Sequence, residues 1–321
     1  MAGVDNGDYL EKVITLEESL GLDGAAKMLN IKESTVKRRI QEAKRRGIKP
    51  YHGTLSKNLI KIKEIYTDEE INAIAKGGRV APGMPSMPIA NFDGDIVTFG
   101  IISDTHIGSI YTDNSHILRA FNEFDKAKVD FIVHCGDVTE GMSNRDGHVY
   151  EVTNIGYEAQ KHAAIEILKY APAKLYLIDG NHDRWYKKRS GAYIVQDIAK
   201  AIDGIYLGED EGDISLKGLI TLKLWHGEDG NTYAISYRMQ KIVESLTGGT
   251  KPHILIAGHV HKMMYNFLRH IHCIGAGSIQ MQSKWMRGKR LEAHTGFWVC
   301  KVWINEKGVG KFQCTWYPLY V

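Results

Sequence analysis

Cysteine is scarce in this chain: its 321 residues carry four, Cys135, Cys273, Cys300 and Cys314. None stands in Cys-x-x-Cys spacing, and all four lie in apolar, strand-like stretches. They give no sign of a disulfide framework or thiolate metal site and read as reduced core residues. Long apolar runs are missing too. Nothing at the amino terminus resembles a signal peptide and no segment could span a bilayer, so cytoplasmic placement without a membrane partner is the expectation. There is no internal repeat. Net charge is low as well, +3 from 41 basic and 38 acidic residues. Basic character must therefore act through its placement, not its sum. The length exceeds the usual single-domain size and predicts a small module beside one large domain.

Five short polar runs stand out against that background. They are Asp104-Thr105-His106, Gly136-Asp137, Gly180-Asn181-His182-Asp183, His226-Gly227 and Gly258-His259-Val260-His261. Each follows an apolar, strand-like stretch: Ile96–Ile102, Phe131–Cys135, Leu175–Ile178, Leu219–Trp225 and Ile254–Ala257. Polar groups at the carboxyl ends of neighbouring strands converge on one rim of a sheet, where open α/β sheets bind ligands.

Aspartate, asparagine and histidine in this order can build two adjacent metal sites. A phosphate ester resists water because both partners are electron-rich. Two cations about 3.5–4 Å apart overcome this by acidifying a water and neutralising the phosphate oxygens. Such a pair needs one carboxylate shared by both ions, and Asp137, alone after a strand and a glycine, is the natural bridge. Asp104, His106 and His261 complete one site; Asn181, His226 and His259 complete the other. His182 is left free to give a proton to the leaving oxygen, with Asp183 expected to orient it and hold its charge. Mixed nitrogen and oxygen ligation suits manganese, iron, zinc or nickel better than magnesium or calcium; manganese is the first expectation.

With these five blocks the chain resembles the calcineurin-like metallophosphoesterase superfamily over roughly residues 93–321. The resemblance implies an α/β fold, a four-layer α-β-β-α sandwich. It also implies a dinuclear centre that hydrolyses phosphate esters with a hydroxide shared by the ions. It gives the same ligand sets, with Asp137 in both, and makes His182, paired with Asp183, the acid. Gly-Asn-His-Asp is similar to the Mre11/SbcD group of DNA nucleases and to many other phosphodiesterases. The protein phosphatase branch carries a phosphate-gripping arginine where Gly136-Asp137-Val138-Thr139-Glu140-Gly141 has glycine, which disfavours that branch.

The amino-terminal fifty residues read differently. Residues 22–31 predict a short helix and tight turn, and residues 33–46 a second helix ending at Gly47. Ala25, Ala26, Leu29, Ile31, Val36 and Ile40 would form a shared core. Thr35, Lys37, Arg38, Arg39, Arg45 and Arg46 would lie on the exposed side as candidate DNA contacts of a helix-turn-helix. Two further basic segments, Lys187–Arg189 and Lys284–Arg290, are candidates for steering a polyanion, and Trp185, Tyr186 and Trp285 for stacking on unpaired bases.

The expected organisation is a helix-turn-helix module in residues 1–50 and a linker with short elements in 51–92, at 59–65 and 68–75. A dimetal phosphoesterase domain follows in 93–321. Helices are expected near 115–127, 157–170, 191–202 and 233–246, and strands at 269–274, 297–304 and 311–317. The expected activity is a metal-dependent phosphodiesterase acting on nucleic acid, a DNA nuclease first, with DNA as partner. Nuclease relatives often dimerise, so a homo-oligomer is compatible with the sequence. The rivals are a phosphomonoesterase or small-molecule phosphodiesterase, and a DNA-binding regulator on a spent esterase fold.

Overall fold

A computed structural model describes residues 6–50, 71, 87–228, 234–246 and 251–319. The chain divides into two compact units, Met1–Met84 and Pro85–Val321. The elements expected at 59–65 and 68–75 lie outside the described residues, Ile71 apart.

In the first unit α1 (Asn6–Leu29) is broken at Gly21, whose φ of 68° and ψ of 177° no helix holds. The stretch after it runs as a separate helix into a turn at Asn30 (φ 53°). α2 (Glu33–Arg45) follows. The helices and turn expected from the sequence are thus present. Ala25, Ala26 and Val36 are buried with Val13, and Leu29, Ile31 and Ile40 pack on them. Gly47 (φ 69°) ends α2 by letting the Ile48 N–H reach the Ala43 carbonyl at 3.0 Å, a left-handed cap that glycine adopts cheaply.

The second unit is built on two six-stranded sheets. In the first, β2 (Ile96–Ile102), β3 (Phe131–His134), β4 (Leu175–Asp179) and β5 (Ile205–Glu209) run parallel. The antiparallel pair β11 (Gly296–Asn305) and β12 (Gly308–Pro318) extends it beyond β2. The second has the order β1-β6-β7-β8-β10-β9. There β7 (Ile220–Trp225), β8 (Ile254–Ala257) and β10 (Ile271–Ala276) are parallel. β6 (Glu211–Leu216) and β9 (Met263–Leu268) flank them antiparallel, and β1 (Ile89–Ala90) joins β6.

Strand periodicity sorts the apolar side chains into layers. Phe99, Ile101, Val133 and Ile178 of the first sheet meet Leu222, Leu224 and Ile256 of the second. Their neighbours Ile102, Ile132 and Leu177 face outward onto α3 (Asn114–Ala127), α4 (Tyr157–Leu168) and α6 (Ile194–Ala201). On the far side Leu255 and Cys273 pack on Met239 and Val243 of α7 (Tyr237–Ser245). The result is helix, sheet, sheet, helix, as expected. Two short helices, α5 (Arg184–Ser190) and α8 (Lys284–Gly288), follow β4 and β10.

The differences from expectation are local. The helix expected near 191–202 is α6 (Ile194–Ala201), and the short α5 before it, ended by Gly191 (φ 76°), was not expected. The strand expected from Arg269 starts at Ile271: Arg269 (φ 49°) and His270 (φ 67°) are the turn of the β9–β10 hairpin. The cysteines are free, with Cys135, Cys273 and Cys300 buried and Cys314 half-buried.

Gly100, in the middle of β2, shows how tightly α3 sits. A Cβ there would meet the Phe124 ring at 2.7 Å. Gly100→Ala is expected to cost about 1–3 kcal/mol by overpacking, read as a lower thermal midpoint by circular dichroism. An unchanged midpoint would contradict this packing.

Candidate metal centre

The seven candidate ligands come together at the carboxyl ends of β2, β3, β4, β7 and β8. Ligand atoms of Asp104, His106 and His261 lie within 4.8 Å of one another, and so do those of Asp137, His226 and His259. Asp137 stands between the two trios, its Oδ2 3.6 Å from His106 Nε2 and 3.1 Å from His226 Nε2. His261 Nε2 is 3.1 Å from Asp104 Oδ1. The Asn181 side-chain oxygen lies 2.7 Å from His259 Nδ1 and 3.2 Å from His226 Nε2.

Atoms bonded to one ion at about 2.0–2.2 Å stand about 3 Å apart, so these spacings fit shared ions. His106 Nε2 is also buried without a hydrogen-bond partner, a cost that an ion would remove. The chemistry of these donors, imidazole nitrogens with carboxylate and amide oxygens, fits divalent metal ions.

Backbone geometry explains why glycine, aspartate and histidine recur here. Asp104, His106, Asp137, His259 and His261 all have positive φ, between 43° and 70°. Each such turn costs an L residue on the order of 1–2 kcal/mol, with aspartate and histidine among the more tolerant types. Hydrogen bonds between the loops hold these turns: Asp104 N–H to Gly136 O (3.0 Å) and His106 N–H to Asp137 O (3.0 Å). The His259 N–H donates to the Asp104 carboxylate (3.1 Å). A Cβ on Gly180 would fall on the Asp137 carboxylate, and one on Gly258 would reach Cys135 O at 2.5 Å. The centre closes only because those side chains are missing.

Several supporting residues were not foreseen. Glu140, 4% exposed, has Oε2 3.1 Å from His106 Nδ1 and accepts from Gln280 Nε2 at 3.1 Å. Its other oxygen meets His148 Nε2 at 2.9 Å. A carboxylate behind a ligand histidine fixes the ring and raises its basicity. His226 has a comparable anchor, its Nδ1 donating to the Cys135 carbonyl at 2.6 Å. The three-residue spacing from Asp137 to Glu140 was the available signal; Gln280 offered none.

Asp183 corrects an expectation. It does not orient His182: its oxygens accept the N–H groups of Val138 (3.0 Å), Thr139 (2.8 Å) and Gly180 (2.9 Å) and the Thr139 hydroxyl (2.8 Å). Asp183 therefore staples the β4 loop to the Asp137 loop. His182 is oriented by Glu140, whose carbonyl accepts from Nδ1 at 2.8 Å. Its ring packs on Trp185, centroids 4.0 Å apart.

Burial opposes ionisation of Asp104, but His261 and His226 hold it down to about 2. Burial likewise opposes the Asp137 charge, and His226 and His182 keep it well below the usual range. Burial lowers His106 and His226, yet Glu140 beside the first and Asp137 beside the second raise each to about 9. His259, buried and next to charged His226, is pushed down to about 3. Burial also lowers His182, so Nε2 of that neutral ring is left to exchange a proton with whatever fills the cleft.

The calcineurin-like phosphoesterase superfamily domain matches residues 97–290. The chain belongs to that superfamily. It is a metal-dependent phosphoesterase, a hydrolase of phosphate esters. Solved structures similar in fold include a novel archaeal phosphodiesterase, 15% identical over 69% of this chain and 100% of that one, with a TM-score of 0.41. Yfce, a phosphoesterase from E. coli, is 16% identical over 68% and 98% (TM-score 0.41). Vps29 with zinc from Entamoeba histolytica is 13% identical over 69% and 99% (TM-score 0.37). No curated protein sequence matches. No helix among the described residues of the phosphoesterase is long and apolar enough to cross a membrane.

The candidate DNA contacts divide by exposure. Lys37, Arg38, Arg45 and Arg46 are exposed, and Ser34, Gln41 and Lys44 share that side of α2. Thr35 is half-buried. Arg39 is turned inward over the Tyr9 ring at 5.7 Å and pairs with Glu42 at 3.1 Å; it is not on the open face. Arg46 also reaches Glu42, at 2.8 Å. Of the stacking candidates Tyr186 is 7% exposed and packs in the core, whereas Trp285 is 47% exposed. Lys187 and Lys188 are paired with Glu209 and Glu228.

Two expectations follow from this geometry. Glu140→Gln should weaken Mn²⁺ uptake about 10–100-fold, the usual loss when a ligand histidine's partner is removed, with the fold retained; calorimetric affinity equal to wild type would contradict it. Because His106 and His226 titrate at about 9 without an ion, both hold protons at pH 7 that an ion must displace. Mn²⁺ affinity should therefore fall about tenfold per unit of acidification for each proton released. Calorimetry in two buffers of different ionisation enthalpy measures that release, and identical heats would refute it.

Proposed function

We propose that this phosphoesterase is a phosphodiesterase acting on nucleic acid, DNA first, with two divalent ions as cofactor. Manganese is the first choice and iron, zinc and nickel are the other suitable ions. The carrying observation is that one carboxylate oxygen of Asp137, in the trio with His226 and His259, also faces His106 of the other trio. In this reading Asp104, His106, His261 and Asp137 hold one ion, and Asp137, Asn181, His226 and His259 the other. Bound there, the ions supply an acidified water and neutralise charge on the phosphate oxygens.

The chain's own residues do the rest. Glu140 and the Cys135 carbonyl keep the ligand nitrogens of His106 and His226 turned inward. His182, with Nδ1 committed to Glu140, presents Nε2 to the leaving oxygen. Trp185 covers one face of that ring. The open basic face of α2 supports DNA as the polymer held, since phosphates bind exposed lysine and arginine by counterion release.

A second reading, a small-molecule phosphodiesterase or a phosphomonoesterase, is favoured by the modest cleft over the centre, about 360 Å³.

Turnover of bis-p-nitrophenyl phosphate, p-nitrophenyl phosphate and labelled linear, nicked and circular DNA with Mn²⁺ separates the readings. Cleavage of DNA and of the diester over the monoester is expected; monoester preference with intact DNA would reject the proposal. Asp137→Ala should lose ion and activity together. His182→Ala should keep the ion and lose about 10²–10⁴-fold in turnover. Lys37→Ala with Arg38→Ala should weaken DNA binding and lower its salt slope by about 1 per phosphate contact removed. Diester turnover should be untouched; an unchanged slope would remove α2 from the DNA surface.

A further inference from the structure

The cleft over the centre has an apolar wall that ion binding does not use. Trp285 and Met286 of α8, with Leu291 after it, line the same cleft as His182 and Trp185. Met286 is buried, while Trp285 is 47% exposed, so an aromatic side chain with much of its surface uncovered lines a cleft that also holds the metal-centre histidines.

This wall is tied to the ligand loops through backbone bonds. The N–H groups of Ile279 and Gln280 donate to the carbonyls of Ser103 and Asp104, each at 3.0 Å. The Gln280 side chain donates to Glu140 at 3.1 Å and to Ser109 at 3.0 Å. Ser283 caps α8 by accepting from the Met286 N–H at 3.2 Å, and Gln282 holds the Leu291 carbonyl at 2.7 Å. Trp285 is therefore carried on a segment with little freedom relative to Asp104. An exposed indole on a backbone anchored beside the centre is a surface suited to a flat apolar group.

Resting on the phosphodiesterase reading, we infer that Trp285 is the stacking platform for a nucleobase of the bound phosphodiester, and that the cleft takes one unpaired nucleotide. A cleft of about 360 Å³ holds a ligand of roughly that size. Inside a duplex both faces of a base are covered by its neighbours, so only a strand end, gap or single strand offers a face to the indole. Stacking recognises any base, and the site selects unpaired structure, not sequence.

The test is calorimetric binding of thymidine 5′-monophosphate and of deoxyribose 5-phosphate to the full chain with Mn²⁺. The comparison covers wild type, Trp285→Ala and Trp285→Phe. In wild type the nucleotide should bind about 5- to 100-fold more tightly than the sugar phosphate, the range a single stacked base provides. Trp285→Ala should abolish that gap without moving the sugar phosphate, and Trp285→Phe should keep most of it. Equal wild-type affinities, no measurable affinity for the nucleotide, or a gap that survives Trp285→Ala overturns the inference. Bis-p-nitrophenyl phosphate turnover of the same wild-type preparation reads the phosphodiesterase proposal separately. Turnover without a nucleotide gap defeats the stacking site alone.

Discussion

A carboxylate that is 2% exposed, Asp137, is the constraint to which the catalytic unit answers. Burying an unpaired charge costs several kcal/mol even after relaxation, and several neighbours of Asp137 offset it with positive potential, against the nearby carboxylates of Asp104 and Asp183. The His182 N–H donates to it at 2.8 Å, and His106 and His226 face its other oxygen. Those rings must be aimed, which the Glu140 carboxylate and the Cys135 carbonyl do. The loop carrying Asp137 must be held as well, and Asp183 holds it through the Val138 and Thr139 N–H groups. Left-handed backbone turns at five ligand positions are tolerated because these bonds over-determine them.

The same constraint decides what the amino-acid sequence reveals. Ligands at strand ends are legible because the signal is local: an apolar run stops, in three of the five blocks a glycine follows where no Cβ fits, and a polar or imidazole side chain comes next. Asp183 belongs to that local pattern, yet its role differs from the one its position predicts. Adjacency to His182 suggested a pair, whereas the fold sends the carboxylate back to the Thr139 loop. Glu140 and Gln280 are 140 positions apart in sequence, and no periodicity encodes a contact that only the packing of two loops creates. Tyr186 and Trp185 make the same point on one short helix: about 100° per residue separates a core side chain from one that lines the cleft. The β9–β10 hairpin was half-read, because β9 is an edge strand with Tyr265 and Phe267 exposed and lacks a fully apolar run.

Charge follows a parallel logic. Basic residues clustered in sequence at 187–189 looked available to a polyanion, yet two of them are matched by glutamates. Arg184 is likewise matched by Asp210 and Glu228, and Lys262 at the cleft by Glu292 at 3.2 Å. The exposed pairs among these add little stability but leave Lys187, Lys188 and Lys262 less open to phosphate, whereas Lys284, Arg287, Lys289 and Arg290 of the other basic segment stand exposed. On α2, Lys37 and Arg38 stand exposed on the open face, while Glu42 takes up Arg39 and Arg46. In the proposed function this separates two tasks. On that proposal the small module grips the polymer through phosphate charge, without reading it. On the same proposal the cleft, walled in part by the rings of Trp185 and Trp285, admits the short unpaired stretch on which chemistry occurs. Tethering the two raises the local concentration of substrate at the centre, so grip and selectivity need not be built into the same surface. A cleft with strong net positive charge would bind duplex and single strand alike and lose the discrimination that an aromatic wall can provide.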